Sequence, residues 1–131
     1  MPHVLIEYSV NLEAEVDPMA LVRAVHAAAR AQPVFETVGI RTRAARREHC
    51  LVADGDPSHA FIAVTARIGP GRTVEARKAA GEAMMTALYE VVEPIYWSRG
   101  LLLSVEVAEL DGAAMTRRNS LRDRQGLKEK S

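Results

Sequence analysis

The feature that most constrains the fold is a strand–helix–strand pattern that occurs twice, with starting points about sixty residues apart. In each copy a short apolar run with strand character comes first, and a segment with apolar residues every three or four positions follows. A second strand-like run ends the copy. A unit of this kind lays its two strands side by side and parallel, with a crossover between them. The pattern predicts an α+β, two-layer fold: a four-stranded mixed sheet with two helices on one face.

The predicted organisation is a single domain over residues 1–131. The first βαβ unit takes residues 2–53, the second takes residues 59–110, and residues 111–131 form a charged C-terminal tail. The predicted strands are His3–Val10, Val38–Ala53 (one long strand or a pair), Ala60–Ile68 and Leu101–Leu110.

Capping residues mark both predicted helices. Asp17 and Pro18 suit the cap and first position of a helix that should end near Gln32, because Pro33 disfavours helical geometry in the residue before it. Thr73 can cap the second helix, and Pro94 is expected to break its apolar stripe near the end.

Composition narrows the classes of function. Apolar residues make up 48% and charged residues 26%, which is typical of a globular domain. Lys+Arg and Asp+Glu are both 17, so no overall basic field attracts nucleic acid. No apolar run approaches the roughly 20 residues of a membrane span, and the first one lacks a basic region before it, so neither a membrane partner nor a secretory signal is expected. The single cysteine, Cys50, excludes an internal disulfide and favours a cytoplasmic location.

The sheet face opposite to the helices, called the open face below, is predicted to carry mixed side chains. The expected members are Arg41, Arg43, Phe61, Thr65, Leu102 and Ser104. No predicted element remains to cover this half-apolar face. The chain is therefore expected to form a homo-oligomer.

Two features carry candidate chemistry. Pro2 follows the initiator methionine and runs into the first strand, so removal of Met1 would leave a secondary amine that can act as a base. Residues 66–73 end a strand, turn on glycine, present Arg72 and start a capped helix. An arginine beside the free amides of a helix N-terminus suits a carboxylate or phosphate.

Together these features resemble the tautomerase superfamily, whose members share an amino-terminal proline and βαβ units. Within it the chain is similar to the 5-carboxymethyl-2-hydroxymuconate isomerase family. The matching segments are Pro2-His3, Gly39–Arg43, Ala53–Gly55, Ala60-Phe61, Ile68–Arg77, Ala80–Glu82 and Leu103–Leu110. They cover the domain in order, and the basic tail matches least.

The resemblance implies a homotrimer that needs no metal or organic cofactor. The implied reaction is a 1,3-allylic keto–enol shift, which converts 5-carboxymethyl-2-hydroxymuconate to its 2-oxo isomer in the degradation of 4-hydroxyphenylacetate. The substrate would thus be a small di- or tricarboxylate. The resemblance implies that Pro2 shuttles the proton. Arg72 and Arg41 would bind a carboxylate and the 2-oxo end, in an order left open, and Arg43 would contact substrate or form an intersubunit salt bridge.

Two alternatives stay open at this point. The same scaffold can carry another tautomerase or a dehalogenase of a small unsaturated acid, for which Glu106 would be the carboxylate that activates water. A non-catalytic, ligand-binding oligomer with a ferredoxin-like βαβ-βαβ layout would instead retain Met1, which would block the proline amine.

Overall fold

Two tandem βαβ units form the body of the protein, followed by a helical tail. The computed structural model describes the backbone of residues 2–130 and the side chains of residues 2–125. In chain order its strands and α-helices are β1 His3–Ser9, α1 Pro18–Arg30, β2 Arg41–Arg47, β3 Ala60–Ile68, α2 Val74–Ser98, β4 Leu101–Glu109 and α3 Ser120–Lys130.

The strand order in the sheet is β2-β1-β3-β4. Strand β1 pairs with β2 in parallel, and β3 pairs with β4 in parallel, so each unit has the predicted crossover topology. The two units join through an antiparallel pairing of β1 with β3 at the centre of the sheet. The predicted four-stranded mixed sheet is confirmed, and its antiparallel centre places the start of β1 beside the end of β3.

Both large helices begin where the sequence predicts. Asp17 caps α1 by accepting a hydrogen bond from the amide of Met19 at 3.0 Å, and Thr73 caps α2 by accepting one from Ala76 at 3.1 Å. The helices then pack their apolar stripes on one face of the sheet. The residues they bury are Leu21, Val25 and Ala29 from α1, and Ala80, Met84, Leu88, Val92 and Ile95 from α2. Burial of each large apolar side chain contributes roughly 1.5–3 kcal/mol, so this layer is the main source of stability.

The prediction of a long strand or strand pair over residues 38–53 is wrong. Strand β2 covers only Arg41–Arg47, because its partner β1 ends at Ser9, the residue paired with Arg47. Beyond Arg47 no neighbouring strand offers hydrogen bonds, and residues 48–51 are exposed.

Helix α2 contains Pro94 near its end and continues through it to Ser98. Its last turn is held by the buried Ile95 and by edge-to-face contacts of Tyr96 with Tyr89 and Trp97, at centroid distances of 5.4 and 5.1 Å. These contacts offset the hydrogen bond that a proline inside a helix removes.

The open face has the predicted character. Arg41, Arg43 and Leu102 are exposed, and Phe61, Thr65 and Leu5 are half-buried. Leu102 keeps 52% of its surface exposed. Within residues 2–125 no helix or further strand packs across this face, and only Met115 of the tail reaches one end of it. Although α2 has 25 residues, neither it nor another helix over residues 2–130 has the apolar run that a membrane span needs.

Candidate active site

Pro2 and Arg72, which are seventy positions apart, line one cavity of about 400 Å³, called the Pro2 cavity below. The sheet topology explains why Pro2 and Arg72 lie at the same cavity. Pro2 lies directly before β1, and His3 pairs with Arg67 near the end of β3, so the turn after β3 comes to the start of β1. Pro2 itself is fully buried.

The turn that presents Arg72 depends on a backbone conformation specific to glycine. Gly71 has a φ of 107°, in the region that other residues avoid. The Arg72 guanidinium lies close to Gly69, since a Cβ placed there would be 3.9 Å from Nη1. Helix α2 starts immediately afterwards, so Arg72 stands at its N-terminal end.

Substituting Gly71→Ala is expected to destabilise the fold by roughly 1–2 kcal/mol, because alanine is strained at a positive φ. The same change should move Arg72 and lower kcat/KM at least about tenfold. The matched control is Gly69→Ala, whose φ is ordinary and whose added methyl makes only a normal contact. Denaturant unfolding of both variants tests this account, and equal losses of stability would contradict it.

The side chain of Arg41 does not line the Pro2 cavity with Pro2 and Arg72. Its backbone amide donates to the Pro2 carbonyl at 3.1 Å, which fixes the position of Pro2. Its guanidinium, however, lies on the open face, where Nη1 is 3.2 Å from the Gly39 carbonyl and 3.5 Å from His3 Nε2.

Arg43 lines a second cavity, of about 380 Å³, on the open face. Its Nη1 approaches His3 Nδ1 at 3.4 Å, and Arg67 lines the same space. Burial lowers the pKa of His3, and the charges of Arg41, Arg43 and Arg67 lower it further. This part of the open face therefore combines three permanent cations with an imidazole held towards its neutral form.

Sequence reasoning missed the contribution of the tail. Met115 and Arg117 line the Pro2 cavity, and Met115 also lines the second cavity. The tail was predicted only as a charged segment, yet α3 forms there, with Asn119 accepting from the amides of Leu121 and Arg122 at 3.0 and 3.3 Å. The Asn119-Ser120 sequence before Leu121 is the signal that predicts such a start.

A larger apolar cavity, of about 870 Å³, lies elsewhere, towards the β4 edge of the sheet. Phe61, Met85, Tyr89, Trp97 and Leu102 are among the residues that line it, and none of its lining side chains is charged. It offers no cation for a carboxylate. The Pro2 cavity, with its arginines, is therefore the better candidate for chemistry on an acidic substrate.

Glu106 lies on the open face of β4, opposite Thr65, and lines neither the Pro2 cavity nor the second cavity. The carboxylate on the wall of the Pro2 cavity belongs to Glu36. It forms an ion pair with Arg122, whose Nη2 is 2.5 Å from Oε2.

Comparisons with known proteins identify the family of the chain. The profile of the family described as 5-carboxymethyl-2-hydroxymuconate isomerase matches residues 2–125. A 5-carboxymethyl-2-hydroxymuconate Delta-isomerase from Escherichia coli is 32% identical over 121 residues, which are 92% of this chain and 96% of that protein.

Solved structures give the same result. The crystal structure of a 5-carboxymethyl-2-hydroxymuconate isomerase from Deinococcus radiodurans R1 is 33% identical, covers 95% of this chain and 93% of its own, and has a TM-score of 0.85. A fused 4-OT symmetric trimer, 16% identical, has a TM-score of 0.69 over 89% of this chain and 92% of its own, which shows the tautomerase fold. The chain belongs to the 5-carboxymethyl-2-hydroxymuconate isomerase family.

Proposed function

We propose that this protein isomerises 5-carboxymethyl-2-hydroxymuconate to its 2-oxo form and that Pro2, freed by removal of Met1, carries the proton. The observation that supports the proposal most is the shared Pro2 cavity of Pro2 and Arg72, in a chain of this family. A base and a cation that meet in one cavity are what a conjugated enol acid requires.

The reaction moves a proton and rearranges double bonds without loss of atoms. The 2-hydroxyl group gives up its proton and becomes the 2-oxo group, carbon 5 gains a proton, and one double bond remains between carbons 3 and 4. The catalyst therefore has to accept a proton and return one. A single amine that alternates between its free-base and cationic forms meets this requirement.

The Pro2 amine must be a free base at neutral pH to start this cycle. An ordinary α-amine has a pKa of about 7.7–8.0. Pro2 is buried, and Arg72 and Arg117 line the same cavity. Burial and nearby positive charge both disfavour the cationic form, so the amine should have a pKa below its ordinary range.

Arginine suits the remaining roles because it stays charged and binds carboxylates through two parallel donors. Arg72 is assigned to a substrate carboxylate or to the charge that develops on the 2-oxo oxygen. Arg41 and Arg43 are assigned to substrate binding as well, from the open face. Their position on a face without a cover is consistent with a site completed in an oligomer.

We further propose that the oligomer is a homotrimer. The support is the uncovered open face with its exposed Leu102, together with the symmetric trimer named for the fused 4-OT protein of the same fold. A cytoplasmic location remains a prediction that depends on the single cysteine.

The dehalogenase alternative has less support. It requires a carboxylate that activates water beside the substrate, and Glu106 does not line the Pro2 cavity. Glu36 does line it, but Arg122 binds its carboxylate. Release of chloride from 3-chloroacrylate would favour this alternative.

The proposal is tested with purified protein by three measurements. Intact mass should show that Met1 is absent, and ultraviolet absorbance should follow the isomerisation of 5-carboxymethyl-2-hydroxymuconate. Light scattering should give a mass of about 43 kDa, three times the chain mass of 14.3 kDa. An enzyme that retains Met1 and turns over the substrate would contradict proline catalysis, and a monomer would contradict the trimer.

A further inference from the structure

We infer that Arg117, in the tail, is a specificity-determining residue that binds the carboxymethyl carboxylate of the substrate. This inference rests on the proposed function and extends it to a residue outside the two βαβ units. The structure describes the side chains of residues 111–125 of the tail, and the inference depends on these.

The tail crosses the Pro2 cavity from one wall to the other. It begins at the turn between β3 and α2, where a Cβ placed on Gly112 would lie 3.2 Å from the Pro70 ring. Before α3 it reaches the loop between α1 and β2, where Asn119 Nδ2 donates to the Val38 carbonyl at 2.8 Å. Arg117 lies between these two points and lines the cavity together with Pro2 and Arg72.

Contacts on both sides of Arg117 hold this crossing in place. Met115 is half-buried and lines the cavity itself. After Asn119, Arg122 pairs with Glu36 on the opposite wall. Arg117 itself is exposed, but its backbone is held between a packed side chain and a hydrogen-bonded helix start, so it loses less conformational entropy on binding than an arginine on a free chain end.

The charges around the cavity favour an anion at Arg117. Glu36 is the acidic residue on the cavity wall, and Arg122 binds its carboxylate. Arg117 forms no ion pair with the side chains of residues 2–125. Its guanidinium therefore offers its donors to a ligand, and it adds a second cation to that of Arg72.

The substrate carries one more carboxylate than unsubstituted muconate does. Muconate carries a carboxylate at each end, and the carboxymethyl group at carbon 5 adds a third. Arg72 lies on the turn between β3 and α2, whereas Arg117 approaches from the tail that bridges the cavity. We assign Arg117 to the added carboxylate and leave the muconate carboxylates to the arginines of the βαβ units.

The experiment compares two substrates, 5-carboxymethyl-2-hydroxymuconate and 2-hydroxymuconate, for the variants Arg117→Met, Arg117→Lys and Arg118→Met. Arg118 is the matched control, because it is adjacent to Arg117 and equally exposed, but does not line the cavity. We expect Arg117→Met to lower kcat/KM about 10- to 100-fold for the three-carboxylate substrate, chiefly through KM, and less than about threefold for the other. Arg117→Lys should recover part of the loss, and Arg118→Met should change both values less than about twofold.

Equal losses for both substrates, or no loss for either, would overturn the inference. So would an equal effect of Arg118→Met. Wild-type protein that isomerises neither compound would contradict the proposed function instead. In that case the inference is tested by calorimetry with propane-1,2,3-tricarboxylate and with glutarate. It requires that Arg117→Met weaken binding of the tricarboxylate and leave binding of glutarate unchanged. It fails if wild-type protein binds neither compound.

Discussion

Inserting one glycine between Met1 and Pro2 is expected to lower kcat by about 10²–10⁴, the usual contribution of a general base. The insertion turns the proline nitrogen into a tertiary amide, which has no basic lone pair, while the side chain stays in place. Pro2→Ala should also lose activity by at least about 100-fold, because the ring amine held at the start of β1 is replaced by a freely rotating one. The assay is the ultraviolet measurement of isomerisation.

The control for these variants is Pro33→Ala, since Pro33 is an exposed loop proline after α1. It should retain activity within about twofold. Thermal unfolding and oligomer mass should stay close to those of wild type in all three variants. Full activity in the glycine-insertion variant would show that the Pro2 amine is not the base.

Replacing Arg72 with alanine is expected to lower kcat/KM by about 10²–10³, the size of effect seen when one donor to a developing negative charge is removed. Arg72→Lys should recover only part of this loss, because lysine keeps the charge and lacks the two-pronged geometry. Steady-state absorbance measurements of the isomerisation give kcat and KM for both variants. If Arg72 acts in the transition state, kcat should fall; if it only holds a carboxylate, KM should rise.

Arg23→Ala is the matched control for Arg72, because Arg23 is an exposed arginine on α1 away from the residues that line the cavity. It should leave both kinetic constants within about twofold of wild type. A loss in Arg23→Ala as large as that in Arg72→Ala would mean that general positive charge, rather than the Arg72 position, supports the reaction.

Local sequence patterns predicted most of the fold. Strand β3 has the predicted bounds of Ala60–Ile68, because alternation of apolar residues identifies a half-buried strand directly. Asp17 and Thr73 cap their helices as expected, since capping depends on residues only two or three positions away. The parallel pairing inside each unit follows from the length of the crossover.

The features that the sequence did not reveal depend on distant partners. Strand β2 ends at Arg47 because its partner β1 ends at Ser9, and no pattern within residues 38–53 indicates where β1 ends. The tail is held by the Val38 carbonyl and by Glu36, about eighty positions earlier, so its composition indicated only a charged segment. Pro2 and Arg72 were predicted as candidates, but their shared cavity follows from the antiparallel centre of the sheet.

The pH dependence of kcat/KM tests the central claim, that the Pro2 amine is the base, most directly. This quantity reports the ionisation of the free enzyme, and it should rise with pH as the amine loses its proton. We expect an apparent pKa at or below about 7, under the ordinary range of an α-amine, because burial and the neighbouring arginines disfavour the cation. An apparent pKa of about 9 would contradict the assignment of the Pro2 amine as the base.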